Sequence, residues 1–257
     1  MQNLKPKKFL GQHFLADENI ARKIVKSLVA PPNACVVEIG PGMGVLTKYL
    51  RAQFEDFRVV EYDPDAVEYL REKFIEPPIQ VVSGDFLKWN IASALDRPGY
   101  FIGNLPYNVT SPILFQLLEN RKWVEGCVFM VQKEVADRIC AVEGASVKER
   151  GILTILLDCY FEMRKGFKVS PSVFRPPPKV MSAVFSMVRR PNVDVPFEPL
   201  RTVVKAAFGQ RRKTLRNSIK KLDMDLEAFP VEWLSLRAEA LSTDQFVQLS
   251  RALRPQP

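Results

Sequence analysis

Four short apolar runs dominate the first half of the chain: "ACVVEIG" (34–40), "FRVVEYD" (57–63), "IQVVSGD" (79–85) and "GYFIGN" (99–104). Each is rich in apolar and β-branched residues and stops at a glycine, an acid or an amide, the pattern of a buried strand that ends at a turn. Helical patterns lie at "VLTKYLRAQ" (45–53), "PDAVEYLREKF" (64–74) and "SPILFQLLEN" (111–120), and another strand follows at "GCVFMVQK" (126–133). Strands alternating with helices at this spacing predict βαβ units and a mainly parallel sheet, an α/β fold. Upstream, Asp17 is placed to cap an amphipathic helix carrying Ile20, Ile24, Val25, Leu28 and Val29 on one side. Downstream, "RKGFKVS" (164–170) and "KVMSAVFSMVRR" (179–190) read as edge strands around the stiff "FRPPPK" loop. Beyond Arg190-Pro191 the texture turns polar and helical. The expected division is a catalytic domain over 1–191 and a small helical domain over 192–257.

Charge narrows the partners. The 257 residues carry 37 Lys and Arg against 29 Asp and Glu, a net +8, which favours a polyanion. No stretch approaches the roughly 20 apolar residues of a membrane span, and no signal-like block follows the basic start, so a soluble, cytoplasmic protein with no membrane partner is expected. Cys35, Cys127, Cys140 and Cys159 lack any C-x-x-C pairing and read as reduced core residues. With one histidine, His13, a two-histidine metal site is excluded and no metal is expected.

The ends of the four runs carry the chemistry. In "EIGPGMG" the glycines fall at 40, 42 and 44, whereas a dinucleotide fingerprint would place one at position 45, which is Val. Neither a pyrophosphate clamp nor a P-loop lysine is present, which disfavours NAD and ATP. Glu61 follows Gly40 by 21 residues, close to the spacing at which an acid binds ribose hydroxyls. Asp85 can accept a hydrogen bond from an adenine amino group, and Asn104 ends the fourth run. Glycine loop, acid, acid and amide at consecutive strand ends suit an adenosine cofactor without a pyrophosphate, as S-adenosylmethionine is. "NLPYN" (104–108) reads either as a turn or as a pocket for a flat, amino-bearing ring.

Five motifs in order, "FLGQHFL", "EIGPGMGVLT", "NLPYN", "VFRPPPKV" and "FGQRRKTLRNSI", resemble the ribosomal RNA adenine N6-dimethyltransferase family, and most closely its small-subunit branch, over nearly the whole chain. The resemblance implies a Rossmann-like class I methyltransferase sheet with a small C-terminal helical domain. It implies that Gln12, His13, Gly40, Gly42, Gly44, Glu61, Asp85 and Asn104 surround the cofactor, with Leu15, Tyr62 and Phe86 beside them. Asn104 and Leu105 would receive hydrogen bonds from the target amine, Pro106 would fix the backbone and Tyr107 would stack the base. Phe174 reads as a second aromatic wall or as a core residue anchoring its loop. RNA contacts are expected from Lys5, Lys7 and Lys8 and from Arg211, Arg212, Lys213 and Arg216. Two positions depart from the family: His13, where Asn is frequent, and Met181, where Asp is. The implied substrate is ribosomal RNA in the small subunit or its precursor, at two adjacent adenines near the 3′ end, with a part in subunit assembly. A monomer is expected. The competing readings are a large-subunit RNA methylase and a non-catalytic nucleic-acid-binding relative.

Overall fold

The computed structural model describes residues 6–7, 10–76, 78–141 and 150–254, and the chain divides into two compact units. The first takes the residues up to Ala136 together with Arg164–Arg189; the second takes Asp137–Met163 together with the residues from Arg190 onward. The strands are β1 (Phe14–Leu15), β2 (Val36–Ile39), β3 (Phe57–Glu61), β4 (Gln80–Ser83), β5 (Gly99–Asn104), β6 (Val124–Gln132), β7 (Phe161–Val169), β8 (Phe174–Arg175) and β9 (Ser182–Arg189). The helices are α1 (Glu18–Lys26), α2 (Thr47–Leu50), α3 (Pro64–Lys73), α4 (Ile91–Ala94), α5 (Thr110–Glu119), α6 (Lys133–Ile139), α7 (Ile152–Tyr160), α8 (Phe197–Gly209), α9 (Leu215–Ile219), α10 (Val231–Ser235) and α11 (Thr243–Arg251).

A seven-stranded sheet runs in the order β4-β3-β2-β5-β6-β9-β7, and β2 through β6 are parallel neighbours. Chain order therefore departs in opposite directions from β2, toward β3 on one side and β5 on the other. At such a switch point the loops leaving the carboxyl ends of the strands diverge and open a crevice. β2 is buried at every position, as a strand covered on both faces must be. Its neighbours approach closely: a Cβ on Gly103 of β5 would lie 2.5 Å from the Ile39 carbonyl oxygen, so only glycine fits there. Ile24 and Val25 of α1, Leu50 of α2 and Leu70 of α3 complete the apolar layer against this sheet.

Local signals set the helix ends. Asp17 accepts from the Asn19 and Ile20 amides at the start of α1, and Asp63 caps α3 ahead of Pro64. Three expectations change. The α1 helix stops at Lys26, where the Ser27 hydroxyl donates to the Lys23 carbonyl, and Val29 is left 84% exposed. The glycine loop runs on in turns as far as Leu46, leaving α2 only Thr47–Leu50. Of the two expected edge strands only β7 ends the sheet; β9 lies between β6 and β7, antiparallel to β6, because its Ser182–Phe185 stretch is buried throughout.

The second unit is helical. It includes α7, whose apolar "ILTILLDCY" packs on α8 and α11, so residues 137–163 group with the C-terminal helices and not with the sheet as the 1–191 boundary supposed. The Ser242–Gln245 capping box starts α11. Replacing Gly103 with Ala should press a methyl group onto backbone that cannot move aside, costing about 1–3 kcal/mol or more. Thermal unfolding should fall by several degrees; an unchanged Tm would show that β2 and β5 have slack.

Candidate active site

At the switch point lies a cleft of about 220 Å³ lined by three sets of loops: residues 10–15, the glycine loop with Glu61 and Tyr62, and Asn104–Val109 with Gly84–Leu87. The N-terminal stretch "LGQHFL" forms one wall because β1 pairs antiparallel with β8, Leu15 opposite Phe174. His13 Nδ1 donates to the Pro176 carbonyl at 2.8 Å, and its ring lies 5.6 Å from that of Tyr107.

Asn104 shows what this wall does. Its Nδ2 donates to the His13 carbonyl at 2.9 Å, which fixes the amide and leaves Oδ1 as an acceptor used by no described residue. Among the described residues no donor uses the Leu105 carbonyl either, while Pro106 O accepts from the Val109 amide and the Thr110 hydroxyl. Two unspent acceptors therefore sit on adjacent residues at the cleft. The Tyr107 hydroxyl bonds Ser182 Oγ at 2.6 Å, tethering the ring to the start of β9, and burial raises its pKa.

On the opposite rim, Glu61 is 6% exposed and accepts from the Gly42 amide at 3.0 Å and the Asp63 amide at 2.9 Å. Burial raises its pKa, and these backbone bonds act against the rise. Gly42 has φ of 54°, and a Cβ there would stand 2.9 Å from the Phe14 ring. Gly40 has φ of 64° and empty space where a Cβ would be, so the loop floor is left open. Asp85 accepts from the Leu87 amide through Oδ1, leaving Oδ2 without a described partner, and Phe86 beneath it packs edge-on against Phe101.

Residues 3–252 match the sequence profile of the family described as ribosomal RNA adenine dimethylase. The chain belongs to that family. The dimethylase is 43% identical to the ribosomal RNA small subunit methyltransferase A of Porphyromonas gingivalis, over 99% of this chain and 100% of that protein. Identity is also 43% to the protein of the same name from Flavobacterium johnsoniae, over 98% and 97%. Among solved structures, a dimethyladenosine transferase from Plasmodium falciparum shares the fold, with TM-score 0.79 and 23% identity over 92% of this chain and 96% of that one. The 23S rRNA methyltransferase ErmE gives 0.73 and 26% over 93% and 99%. The protein is thus an rRNA adenine dimethyltransferase of the class I fold, and membership of a methyltransferase family implies use of S-adenosylmethionine.

All the residues expected around the cofactor except Gly44 line the cleft of the dimethylase; Gly44 instead abuts Phe74, whose ring would lie 2.5 Å from a Cβ there. Phe174 is a correction. It is fully buried in the core, paired with Leu15 through β1 and β8, and does not line the cleft, so its ring anchors the loop from beneath. Lys7 is another: its ammonium meets Asp63 at 2.5 Å and Asp65 at 2.7 Å and is engaged by carboxylates of its own chain. Lys5 and Lys8 lie outside the described residues. In the second unit the basic segment is a turn followed by α9. Arg212 and Lys213 are exposed there, Arg211 donates to the Arg150 carbonyl, and Arg216 pairs with Glu227.

Three residues escaped sequence reasoning. Asp63 is fully buried; burial alone would raise its pKa, but Lys7 and Gln12 hold it below the ordinary value. Gln12 thus spends its amide on Asp63 while lining the cleft. Ser182 had no signal beyond its place after Met181. Glu38, in the quoted "EIG", is 1% exposed, accepts from Thr47 Oγ1 at 2.6 Å and lines the cleft. Burial pushes its pKa up to about 8 from 4.5, opposed by the Thr47 bond and helped by the charge of Glu61.

That shift has a sign. Above pH 4.5 the unfolded chain releases the Glu38 proton while the folded dimethylase keeps it until about pH 8, so stability from this group is full below 4.5 and declines through that window. Glu38→Gln keeps an acceptor for Thr47 without the proton. Urea unfolding across the window should show wild type losing stability relative to the variant as pH rises, by up to ~1.4 kcal/mol per pH unit. Parallel profiles would place the Glu38 pKa near its ordinary value.

Proposed function

We propose that the protein transfers methyl groups from S-adenosylmethionine to N6 of two adjacent adenines near the 3′ end of small-subunit ribosomal RNA. The reading further takes the small subunit or its precursor as substrate, the monomer as the active form, the cytoplasm as its place, and a checkpoint in subunit assembly as a second role. Full-length identity of 43% to proteins named for the small subunit supports this over the large-subunit reading, where the likeness is 26%. The observation that carries the chemistry is the Asn104 amide, anchored by the His13 carbonyl so that Oδ1 stays available beside the Leu105 carbonyl.

The residues present fit the cofactor. Glu61 keeps a second lone pair on each oxygen for a ribose diol, Asp85 Oδ2 can take an adenine amino hydrogen, and Gly40 leaves space where any side chain would intrude. Bound there, S-adenosylmethionine supplies a methyl group on a sulfonium, already strongly electrophilic. The weak point of the reaction is then the amine, whose lone pair is delocalised into the purine ring. Asn104 Oδ1 and Leu105 O accept its two hydrogens, draw electron density onto nitrogen and aim it. As the N–C bond forms, the carbon–sulfur bond of the donor would break with its electron pair left on sulfur; nitrogen becomes cationic, the same two acceptors stabilise that charge, and one hydrogen leaves as a proton to water. Tyr107, tethered through Ser182, offers its ring to the extruded base.

A labelled-cofactor assay on under-methylated small and large subunits, followed by nucleoside analysis, tests the reading. Dimethyladenosine should appear in the small subunit, and its appearance only in the large one would overturn the assignment. Asn104→Ala should lower the single-turnover rate at least ~100-fold with cofactor affinity nearly intact. Tyr107→Phe keeps the ring face but loses the Ser182 bond, about 0.5–1.5 kcal/mol, whereas Tyr107→Ala should cost ~1–3 kcal/mol of base binding. Because a once-methylated amine has one hydrogen left, the second transfer should depend on Asn104 differently from the first; equal rates in Asn104→Ala and wild type would return "NLPYN" to a mere turn.

A further inference from the structure

The second unit carries an aromatic pair that its fold does not use as core. Phe229 and Trp233 stack with centroids 6.3 Å apart and planes inclined by 27°, yet both are only partly covered, and α10 buries only Leu234. Val231 between them is 65% exposed, and Leu236, one residue past α10, is 39% exposed. This apolar patch adjoins the basic turn and α9. The Leu215 amide donates to the Leu236 carbonyl at 2.7 Å, and Arg216 reaches Glu227, two residues before Phe229, at 2.8 Å. Arg212 and Lys213 stand exposed just before α9. The acids nearby are largely occupied: Glu227 by Arg216, Asp223 by Arg254, and Asp225 in capping the turn at Leu226–Ala228, which leaves Glu232 as the exposed carboxylate on α10.

Solvated basic faces are common, and alone such a face would indicate little beyond phosphate attraction. Exposed aromatic rings set among cations are the combination that binds unstacked bases, since a ring gains by stacking a base while cations hold the flanking phosphates. A double helix keeps its bases stacked internally and offers nothing to such rings. We propose that Phe229 and Trp233, flanked by Arg212 and Lys213, form a stacking platform for an unpaired base of the RNA substrate, in addition to the pocket that accepts the target adenine. The proposal rests on the reading that ribosomal RNA is the substrate. It makes the C-terminal unit a reader of single-stranded RNA as well as a source of charge.

Intrinsic fluorescence tests it directly. In full-length protein carrying Trp89→Phe and Trp123→Phe, Trp233 is the sole reporter. A ten-nucleotide oligouridylate, which offers no adenine to the Asn104 pocket, should quench its emission by about half or more at saturation through stacking, and a ten-base-pair RNA duplex should leave it nearly unchanged. Trp233→Ala should weaken oligouridylate binding roughly five- to a hundredfold and Trp233→Phe should restore most of the loss, while duplex binding stays as in wild type. Arg212→Ala with Lys213→Ala should instead weaken both RNAs and flatten the salt dependence. Equal quenching by duplex and single strand, or oligouridylate binding by Trp233→Ala at wild-type strength, would overturn the platform. Methylation of small subunits by wild type separates the two failures: if it succeeds while Trp233 is silent, only the platform falls, and if it fails, the functional reading falls with it.

Discussion

The close approach of β2 and β5 governs this molecule. Because Gly103 leaves no Cβ to meet the Ile39 carbonyl, the two strands can lie side by side at the point where chain order reverses. Their carboxyl ends then deliver the glycine loop and Asn104 to one crevice. A chain that placed these strands apart would hold the same residues with no common cleft. The reversal also explains the apolar character of the strands that meet there, since a central parallel strand has no solvated face.

Around that crevice, side chains are held in place by their neighbours. Glu61 is fixed by the amides of Gly42 and Asp63, Asp63 by Lys7 and Gln12, Asn104 by the backbone of His13, and Tyr107 by Ser182. For Asn104 the support satisfies Nδ2 and leaves Oδ1 unspent, so that amide is oriented before a ligand arrives. The N-terminal stretch matters most here, because it supplies the Asn104 anchor, part of the Asp63 anchor and a wall of the cleft. Buried carboxylates make the arrangement costly: Glu38 and Glu61 are both pushed toward their neutral forms by burial and lie close enough for Glu61 to raise Glu38 further.

On the proposed function, base recognition would have two components of different kind. The target amine would meet fixed acceptors on rigid backbone, where a small displacement forfeits alignment. In the second unit, recognition would rest on exposed cations and partly covered rings, which tolerate variation in the RNA.

By itself the sequence determined the α/β alternation, the rim of Gly40, Glu61, Asp85 and Asn104, and the cap at Asp17. These follow from local rules of strand periodicity, turn chemistry and end capping, which a short window of residues contains. Tertiary structure alone decided the rest. Phe174, two residues before Pro176, and Tyr107, just after Pro106, are both aromatic residues near prolines, but only packing shows that the first is sealed in the core and the second faces the cleft. Lys7 looked like an RNA contact because its partners Asp63 and Asp65 are more than fifty residues away. Ser182 and Glu38 gained meaning only from Tyr107 and Thr47 beside them. The grouping of residues 137–163 with the C-terminal helices depended on which apolar faces meet, and the strand β9 slipped between β6 and β7 for the same reason. Such pairings join residues remote in sequence, and no local pattern encodes them.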